Sequence, residues 1–291
     1  MRCLPPMRRW LTWVDARVNA DAHSAAARLE LNGAPAGVDG LRHLVQTNYG
    51  HFTVMRVEDG CVRGLDLHLD RLQSATRELF GSELDCERVR GYLRHALSGA
   101  TGAWSLRVNV FARALDREHM DRTVDVDVLV GANPAAVAAT QPLRVKSFVY
   151  AREAPQIKHV GTFALFQHRR LARLAGFDDA LFVDADGCIS EGSIWNIGFV
   201  DRDGVVVWPQ APQLGGVGMR LVDAGLPSQD LSSRVRPVYL GELATFRAAF
   251  FSNASVLVRM LASIDACRFE VDSEIERRLL AAYQSNPPQT I

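Results

Sequence analysis

AREAPQIKHVG, residues 151–161, contains Lys158, which lies between a predicted strand and a helix predicted to start near Thr162. Lysine occurs only twice in the 291 residues, at Lys146 and Lys158, although Lys and Arg together number 33. Arginine cannot replace lysine as a nucleophile, because the guanidinium stays protonated and does not condense with a carbonyl. A lysine at a strand-to-helix junction can point into a cleft and lose hydration, which lowers its pKa. The segment therefore predicts a chemically active amine, with an exposed loop lysine as the alternative.

Two further segments place charged residues beside apolar ones. DADGCISEGSIWNIGFV, residues 184–200, contains Glu191 between two predicted hairpin strands. A carboxylate in that setting can be buried against a cation, although a solvated turn acid is the alternative. In HLDRL, residues 68–72, Arg71 lies beside the apolar face of a predicted helix, from which it can bind a buried phosphate in a bidentate manner. An ordinary amphipathic-helix arginine is the alternative there.

These features match what pyridoxal phosphate requires from a protein. The cofactor needs an amine for its aldehyde, an anion opposite its pyridine nitrogen, and an arginine and N–H groups for its phosphate. Lys158, Glu191 and Arg71 offer the amine, the anion and the arginine. The glycines of residues 215–218 precede a predicted helix and offer free N–H groups, unless they form only a turn.

Periodicity divides the chain into two predicted domains of the α/β class. Residues 28–131 alternate apolar strands with amphipathic helices and predict a small α+β domain. Residues 132–141 are small and nearly uncharged, which predicts an interdomain linker. Residues 142–291 contain many strands separated by Asp-Gly turns and predict a larger, strand-rich α/β domain that binds the cofactor. Residues 1–27 are predicted to form a loosely attached N-terminal extension.

Composition excludes several classes of function. The chain has 33 basic and 33 acidic residues, so its zero net charge predicts no binding to nucleic acid or to an anionic membrane. No apolar run approaches the roughly 20 residues of a membrane-spanning helix. The five cysteines are far apart and form no CxxC pair, which favours a cytoplasmic protein without disulfides. His51, His68 and His159 have no zinc-ligand spacing, so no metal is expected.

Several motifs together resemble the class IV aminotransferases, the fold-type IV group of pyridoxal-phosphate enzymes. That group includes branched-chain and D-amino-acid aminotransferases, (R)-amine transaminases and aminodeoxychorismate lyases. The motifs, in the family's order and spacing, are GHFTVMRVEDG at 50–60, HLDRL at 68–72, Lys158, EGSIWNIGF at 191–199 and LGGVGM at 214–219. The resemblance covers about residues 28–265 and implies a D-amino-acid aminotransferase-like fold, with the site in the interdomain cleft of a homodimer.

The resemblance also implies a role for each matching residue. Lys158 would be the catalytic residue, carrying pyridoxal phosphate as a Schiff base and moving a proton between substrate and cofactor. The implied cofactor-binding residues are Arg71, Lys158, Glu191, Asn196, Val217, Gly218, Asn253 and Ala254. The implied substrate-pocket residues are Phe52, Arg56 and Trp195.

The implied activity is transfer of an amino group between an amino acid, or an amine, and a keto acid. An elimination of the aminodeoxychorismate lyase type on the same scaffold is the alternative, and a relative that has lost its chemistry is another. Two departures leave the substrate open. Branched-chain relatives have a tyrosine five residues after the lysine, contacting the cofactor's ring hydroxyl, where this chain has Phe163. Gly218-Met219 stands where the family usually has Thr-Arg.

Overall fold

The computed structural model describes residues 27–136 and 140–291, so the predicted N-terminal extension lies outside the described residues except for residue 27. The helices are α1 Val38–Thr47, α2 Leu65–Phe80, α3 Cys86–Ala96, α4 Phe163–Leu174, α5 Val217–Gly225 and α6 Ser273–Ser285. The strands of the first half are β1 Arg28–Leu31, β2 Ala34–Pro35, β3 His51–Glu58, β4 Cys61–Arg63, β5 Ala103–Phe111 and β6 Asp127–Pro134. The later strands are β7 Leu143–Val149, β8 Asp179–Val183, β9 Ile189–Gly192, β10 Asn196–Val200, β11 Val206–Pro209, β12 Ser233–Arg236, β13 Ala248–Asn253, β14 Leu257–Ile264, β15 Cys267–Arg268 and β16 Pro288–Thr290.

The first sheet has the strand order β16-β4-β3-β5-β6-β1-β2 and is antiparallel throughout. Its central strand β3 alternates between two environments, as a strand of period two requires. Met55 and Val57 are buried in a core that also contains Leu69 and Leu72 of α2. Phe52 and Val54 lie on the opposite face and line the cleft described below. One face of this sheet therefore supports the small domain's core and the other faces the site.

Helix α2 carries Arg71 to the edge of the cleft. It begins after Gly64 and ends at Gly81, both in the left-handed conformation that glycine adopts without strain. The apolar residues on its inner face, including Leu65, Leu69 and Leu72, are fully or almost fully buried. Because the inner face is fixed in the core, the direction of the arginine beside it is fixed as well.

The second sheet has the order β12-β11-β10-β13-β14-β7-β8-β9, with β15 paired to β14. It mixes parallel pairs, such as β7 with β8, and antiparallel pairs, such as β10 with β13. Helix α4 packs on β7 and β8, and α5 and α6 pack on each other and near β13 and β14. The described residues contain no helix whose length and apolarity would let it cross a membrane.

The mixed α/β architecture agrees with the predicted fold class, but several elements differ from the predicted ones. The sequence predicts a strand at residues 61–67 after the Asp-Gly turn, but residues 65–67 form the first turn of α2, because Gly64 ends the strand early. Strand β6 continues to Pro134 and so takes in the first residues of the predicted linker. The sequence also predicts a helix at 240–246, where the structure has a 3₁₀ helix at Leu240–Thr245. Strands β12 and β16 were not predicted from the sequence.

The two sheets are joined by more than one connection. The carbonyl oxygen of Lys158 accepts a hydrogen bond from the backbone N–H of Phe52 at 2.9 Å. Near the end of the chain, α6 packs against α5 beside the second sheet, and β16 pairs with β4 in the first. The last described residues, which belong to the segment predicted as the larger domain, thus return to the first sheet.

Candidate active site

A cleft with a cavity volume of about 180 Å³ lies where the face of β3 and β5 meets the loops of the second sheet. Its walls are mostly apolar, with a few charged side chains between them, as is usual for a small-molecule site. The ionisable lining residues are Arg71, Arg107, Arg152, Lys158 and Glu191. Three arginines and one lysine therefore surround one carboxylate, so the cleft attracts anionic molecules.

Lys158 projects into this cleft from a segment fixed by backbone hydrogen bonds. Besides the bond from Phe52 to its carbonyl, Val160 donates to the carbonyl of Gly50 at 2.9 Å. The ammonium nitrogen lies 5.0 Å from the centre of the Phe52 ring. The segment therefore behaves as a short extra strand beside β3, and its side-chain direction is set by that pairing.

The surroundings of Lys158 favour its uncharged form. Burial, with a smaller effect from the nearby guanidinium groups of Arg71 and Arg152, lowers its pKa to about 7, and Glu191 opposes these effects. About half of the amine is then deprotonated at neutral pH, whereas an ordinary lysine is almost wholly protonated. An uncharged amine is the form that reacts with carbonyl groups.

Glu191 lies near the end of β9, almost fully buried, with Arg152 as its nearest cation. Its Oε1 lies 4.0 Å from Nη1 of Arg152, and its Oε2 accepts a hydrogen bond from the backbone of Leu214 at 3.4 Å. Burial raises the pKa of Glu191 to about 7, although Arg152 lowers it. Oε1 has no hydrogen-bond partner among the described residues. A buried carboxylate oxygen without a partner can accept a hydrogen bond from a bound molecule.

Arg71 spans from α2 to the glycine-rich loop of the second sheet. Its Nη2 donates to the carbonyl oxygen of Gly215 at 2.6 Å. Burial lowers its pKa to about 10, with Arg220 and Arg152 adding to the effect, which leaves it a cation at neutral pH. Beneath it, the ring of the buried His68 shares a 2.6 Å hydrogen bond with the hydroxyl of Thr53. That bond ties α2 to β3 directly behind the cleft.

The start of α5 approaches the loop after β13 so closely that a side chain would not fit between them. A Cβ added to Gly218 would lie 2.5 Å from the backbone carbon of Asn253. A Cβ added to Gly216 would lie 1.9 Å from Oδ1 of Asn196, whose amide donates to the carbonyl of Leu214 at 2.8 Å. The two segments are therefore in backbone contact beside the cleft, and the first turn of α5 has no side-chain cap for its N–H groups.

Most of the residues proposed from the sequence come together here. The cleft is lined by Lys158, Arg71, Glu191, Asn196, Val217, Asn253, Ala254, Phe52 and Trp195. Gly218 lies just behind the lining, against Asn253. Arg56 does not join them: its Nε donates to Glu58 at 2.9 Å and it lines a separate depression. It shares the face of Phe52 and Val54, but it is too far along the strand to reach the cleft.

The lining residues that were not found from the sequence include Arg107, Arg152 and Thr162. The guanidinium of Arg107 lies 3.6 Å from the centre of the Phe52 ring, and its Nε donates to Asn109 at 3.0 Å. Arg107 could have been found from its place on β5, because it pairs with Val54 and so lies on the same face of the sheet. Arg152 offered the weaker signal of preceding Lys158 in the same short loop.

The profile of the family described as amino-transferase class IV matches residues 50–264. The chain therefore belongs to the class IV aminotransferase family. This confirms the predicted family and, with it, the predicted class of enzyme, a transaminase. A search of curated protein sequences gave no significant match.

Solved structures with a similar fold include members of this family. Branched-chain aminotransferase from Thermoproteus uzoniensis with norvaline gives a TM-score of 0.79 at 18% identity, covering 89% of this chain and 94% of that chain. The Escherichia coli branched-chain aminotransferase gives 0.75 at 18% identity, covering 87% and 92%. A putative 4-amino-4-deoxychorismate lyase from Legionella pneumophila gives 0.75 at 18% identity, covering 87% and 96%. The predicted D-amino-acid aminotransferase-like, fold-type IV architecture is confirmed by these likenesses.

Proposed function

We propose that the protein is a pyridoxal-phosphate-dependent aminotransferase that moves an amino group between an amino acid and a keto acid. The observation that carries this proposal is one cleft holding both the amine of Lys158, with a pKa of about 7, and the unpartnered carboxylate oxygen of Glu191. The amine can condense with an aldehyde at neutral pH. The carboxylate can accept the N–H of a protonated pyridine.

The residues of the cleft fit the cofactor. Oε1 of Glu191 is buried and has no hydrogen-bond partner among the described residues, so a donor from a bound molecule would satisfy it. The first turn of α5, which begins after Gly216, has no side-chain cap, so its N–H groups are available to a phosphate. The residues that would hold the ring and the phosphate are Arg71, Glu191, Asn196, Val217, Gly218, Asn253 and Ala254.

Each charged residue then has a separate task. Pyridoxal phosphate, when bound, supplies an aldehyde that condenses with amines and a ring that accepts the electron pair of a broken bond. Lys158 would hold the cofactor through its amine and would carry a proton between the substrate carbon and the cofactor carbon. Arg152 favours the anionic form of Glu191, because a nearby cation stabilises the charged carboxylate. Arg71 supplies a fixed positive charge for the phosphate.

An amino acid, rather than a simple amine, fits the remaining charge of the cleft. Arg107 forms no ion pair with a carboxylate among the described residues, and its guanidinium is held flat against Phe52. A substrate carboxylate would pair with it. The neighbouring walls are apolar, formed by Val54, Leu165 and Ile194, and they suit an apolar substrate side chain.

Association into a homodimer in the cytoplasm belongs to the same proposal. Helix α4 exposes several large apolar side chains, among them Phe163, Phe166 and Leu174, and Phe166 also lines the cleft. An apolar face next to a binding site is a common place for a partner subunit. The four cysteines of the described ranges are free, as in a reducing compartment.

The test is a panel of amino donors and keto acceptors, with the visible absorption of the protein recorded during each reaction. Bleaching of the cofactor band by an amino acid, reversed by a keto acid, supports amino transfer. Release of pyruvate from aminodeoxychorismate without a keto acceptor would instead support the lyase alternative. A protein that stays colourless after addition of pyridoxal phosphate would overturn both.

A further inference from the structure

Thr162 occupies the wall of the cleft four residues after Lys158, at the point where the chain enters α4. It lines the cleft together with Leu165 and Phe166 of the first turns of that helix. Its side chain is half-buried. No part of the proposed function so far assigns a task to this residue.

The hydroxyl of Thr162 is not used by the helix that follows it. Threonine before a helix ordinarily has an extended backbone and accepts a hydrogen bond from an amide of the first turn. Here Thr162 has φ −99° and ψ 8°, and its side chain makes no such capping bond. Its own N–H donates to the carbonyl of Val160 at 2.8 Å. The tight turn rotates the residue away from the capping geometry and leaves its hydroxyl available to a molecule in the cleft.

The position of Thr162 relative to Lys158 is fixed. The backbone bonds of Lys158 and Val160 to the start of β3 hold the segment on one side, and α4 holds it on the other. The next residue, Phe163, is 80% exposed and does not line the cleft. The ring of Phe163 therefore points away from this chain's cleft, and a hydroxyl placed on that ring would be directed away from it as well.

The cofactor brings an anionic oxygen into this part of the site. In pyridoxal phosphate the ring carbon next to the aldehyde-bearing carbon carries a hydroxyl that ionises, so the oxygen lies close to the amine that condenses with the aldehyde. A charged oxygen in a partly dry cleft is stabilised by a donor held beside it. Among the lining residues, Thr162 is the neutral hydroxyl group closest in sequence to Lys158.

We propose that the Thr162 hydroxyl donates a hydrogen bond to the ring oxygen of pyridoxal phosphate. The proposal rests on the proposed function, because it assumes that this cofactor binds at Lys158. In this arrangement the hydrogen-bond donor to the ring oxygen is Thr162, just before α4, and not the next residue, Phe163. Thr162 thereby tunes the charge of the bound cofactor and touches no substrate atom.

The experiment compares Thr162→Val and Thr162→Ser with wild type, using Thr101→Val as a matched control at an exposed loop position. The readouts are the pH dependence of the visible absorption of the bound cofactor and the dissociation constant for pyridoxal phosphate. Valine keeps the shape of threonine and removes the hydrogen-bond donor. The form of the bound cofactor whose ring oxygen is negative and lacks a donor then becomes less favourable. We expect the apparent pKa of the chromophore to rise by about one unit and the dissociation constant to rise several-fold.

Thr162→Ser, Thr101→Val and Phe163→Tyr are expected to match wild type in both measurements, the last because its new hydroxyl points away from the cleft. An unchanged chromophore in Thr162→Val, or a serine variant that shifts as far as the valine variant, would overturn the inference while leaving the proposed function intact. If Thr162→Val does not fold, the same comparison is made between Thr162→Ala and Thr162→Ser. A wild-type protein that never develops the visible band overturns the proposed function and this inference with it.

Discussion

Oε1 of Glu191 lies 4.0 Å from Nη1 of Arg152, and each side chain is only 5% exposed. Arg152 also donates to the carbonyl oxygen of Ile157, at 2.8 Å, so one guanidinium contacts both the carboxylate and the residue before Lys158. The positions of the proposed acid and of the proposed amine are thus coupled through a single side chain.

Arg152→Gln is expected to shift the acidic limb of the activity profile to higher pH. Arg152 lowers the pKa of Glu191, so its removal raises that pKa above about 7 and protonates the carboxyl at neutral pH. We expect kcat/KM at pH 7 to fall about 100-fold and to recover in part as the pH rises. Arg277→Gln, at an exposed pair with Glu274, is the matched control. An acidic limb at the same pH in both variants would contradict the role given to Arg152.

Lys158→Ala is expected to abolish covalent attachment of the cofactor and to reduce amino transfer by at least about 1,000-fold, since it removes both the amine and the proton carrier. Lys146→Ala removes the other lysine of the chain and should leave both properties unchanged. Borohydride reduction in the presence of pyridoxal phosphate, followed by mass spectrometry, reads out the attachment. Retention of the cofactor mass in the Lys158 variant would place the attachment site elsewhere.

The rate at which the apoprotein takes up pyridoxal phosphate should depend on pH with a midpoint near 7. Burial sets the lowered pKa of Lys158, and the amine reacts only when it is uncharged. The rate should therefore rise from pH 6 to 8 and level off above that. Arg71→Gln should move the midpoint upward, because the Arg71 charge contributes to the lowered pKa. Stopped-flow absorbance gives the profile, and a midpoint near 10 would show that the amine lies in water.

Arg71→Gln should also weaken cofactor binding by about 10- to 100-fold, as expected for loss of one charge-assisted contact to a phosphate. Arg77→Gln lies on the same helix in an exposed pair with Glu83 and serves as the control. Equilibrium titration with pyridoxal phosphate measures the difference. Equal affinities in the two variants would remove Arg71 from the phosphate site.

Gly218→Ala should disturb the loop that contains Asn253, because the added carbon would lie 2.5 Å from the loop's backbone. That backbone cannot give way as a flexible side chain would, so the loop must shift. We expect a loss of cofactor affinity of about tenfold and a lower melting temperature. Gly215→Ala, where a Cβ would have no neighbour within 4 Å, is the control for the loss of a glycine. Equal cofactor affinities and melting temperatures in the two alanine variants would contradict the close approach of Gly218 to Asn253.

The parts of the fold that could be predicted are those with a local signal. Helix α2 has apolar residues at helical spacing and a glycine at each end, and its core face was identified correctly. Strand β12 could not be found, because its four residues are exposed or half-buried and show no alternation. It forms only because β11 offers a parallel partner, and β16 likewise depends on β4. Long-range pairing of this kind leaves no periodic pattern in the sequence.

The candidate site likewise contains residues that could be predicted from the sequence and residues that could not. Lys158 and Glu191 could be proposed because a scarce amine and an acid inside a recognisable motif are distinctive. Arg107 and Arg152 could not, because this sequence uses arginine for almost every cation, and only their position in the folded cleft distinguishes these two. Arg56 was assigned to the substrate pocket from the resemblance, and its distance along β3 from the cleft was not available from the sequence.

Only Asn286 and Pro287 separate the last residue of α6 from the first residue of β16. Three peptide units reach roughly 11 Å at full extension. This short connection therefore limits how far α6, in the second half, can move from β16, at the edge of the first sheet. Wide hinge opening is thereby prevented unless β16 detaches. Heat should therefore melt both halves together in one transition.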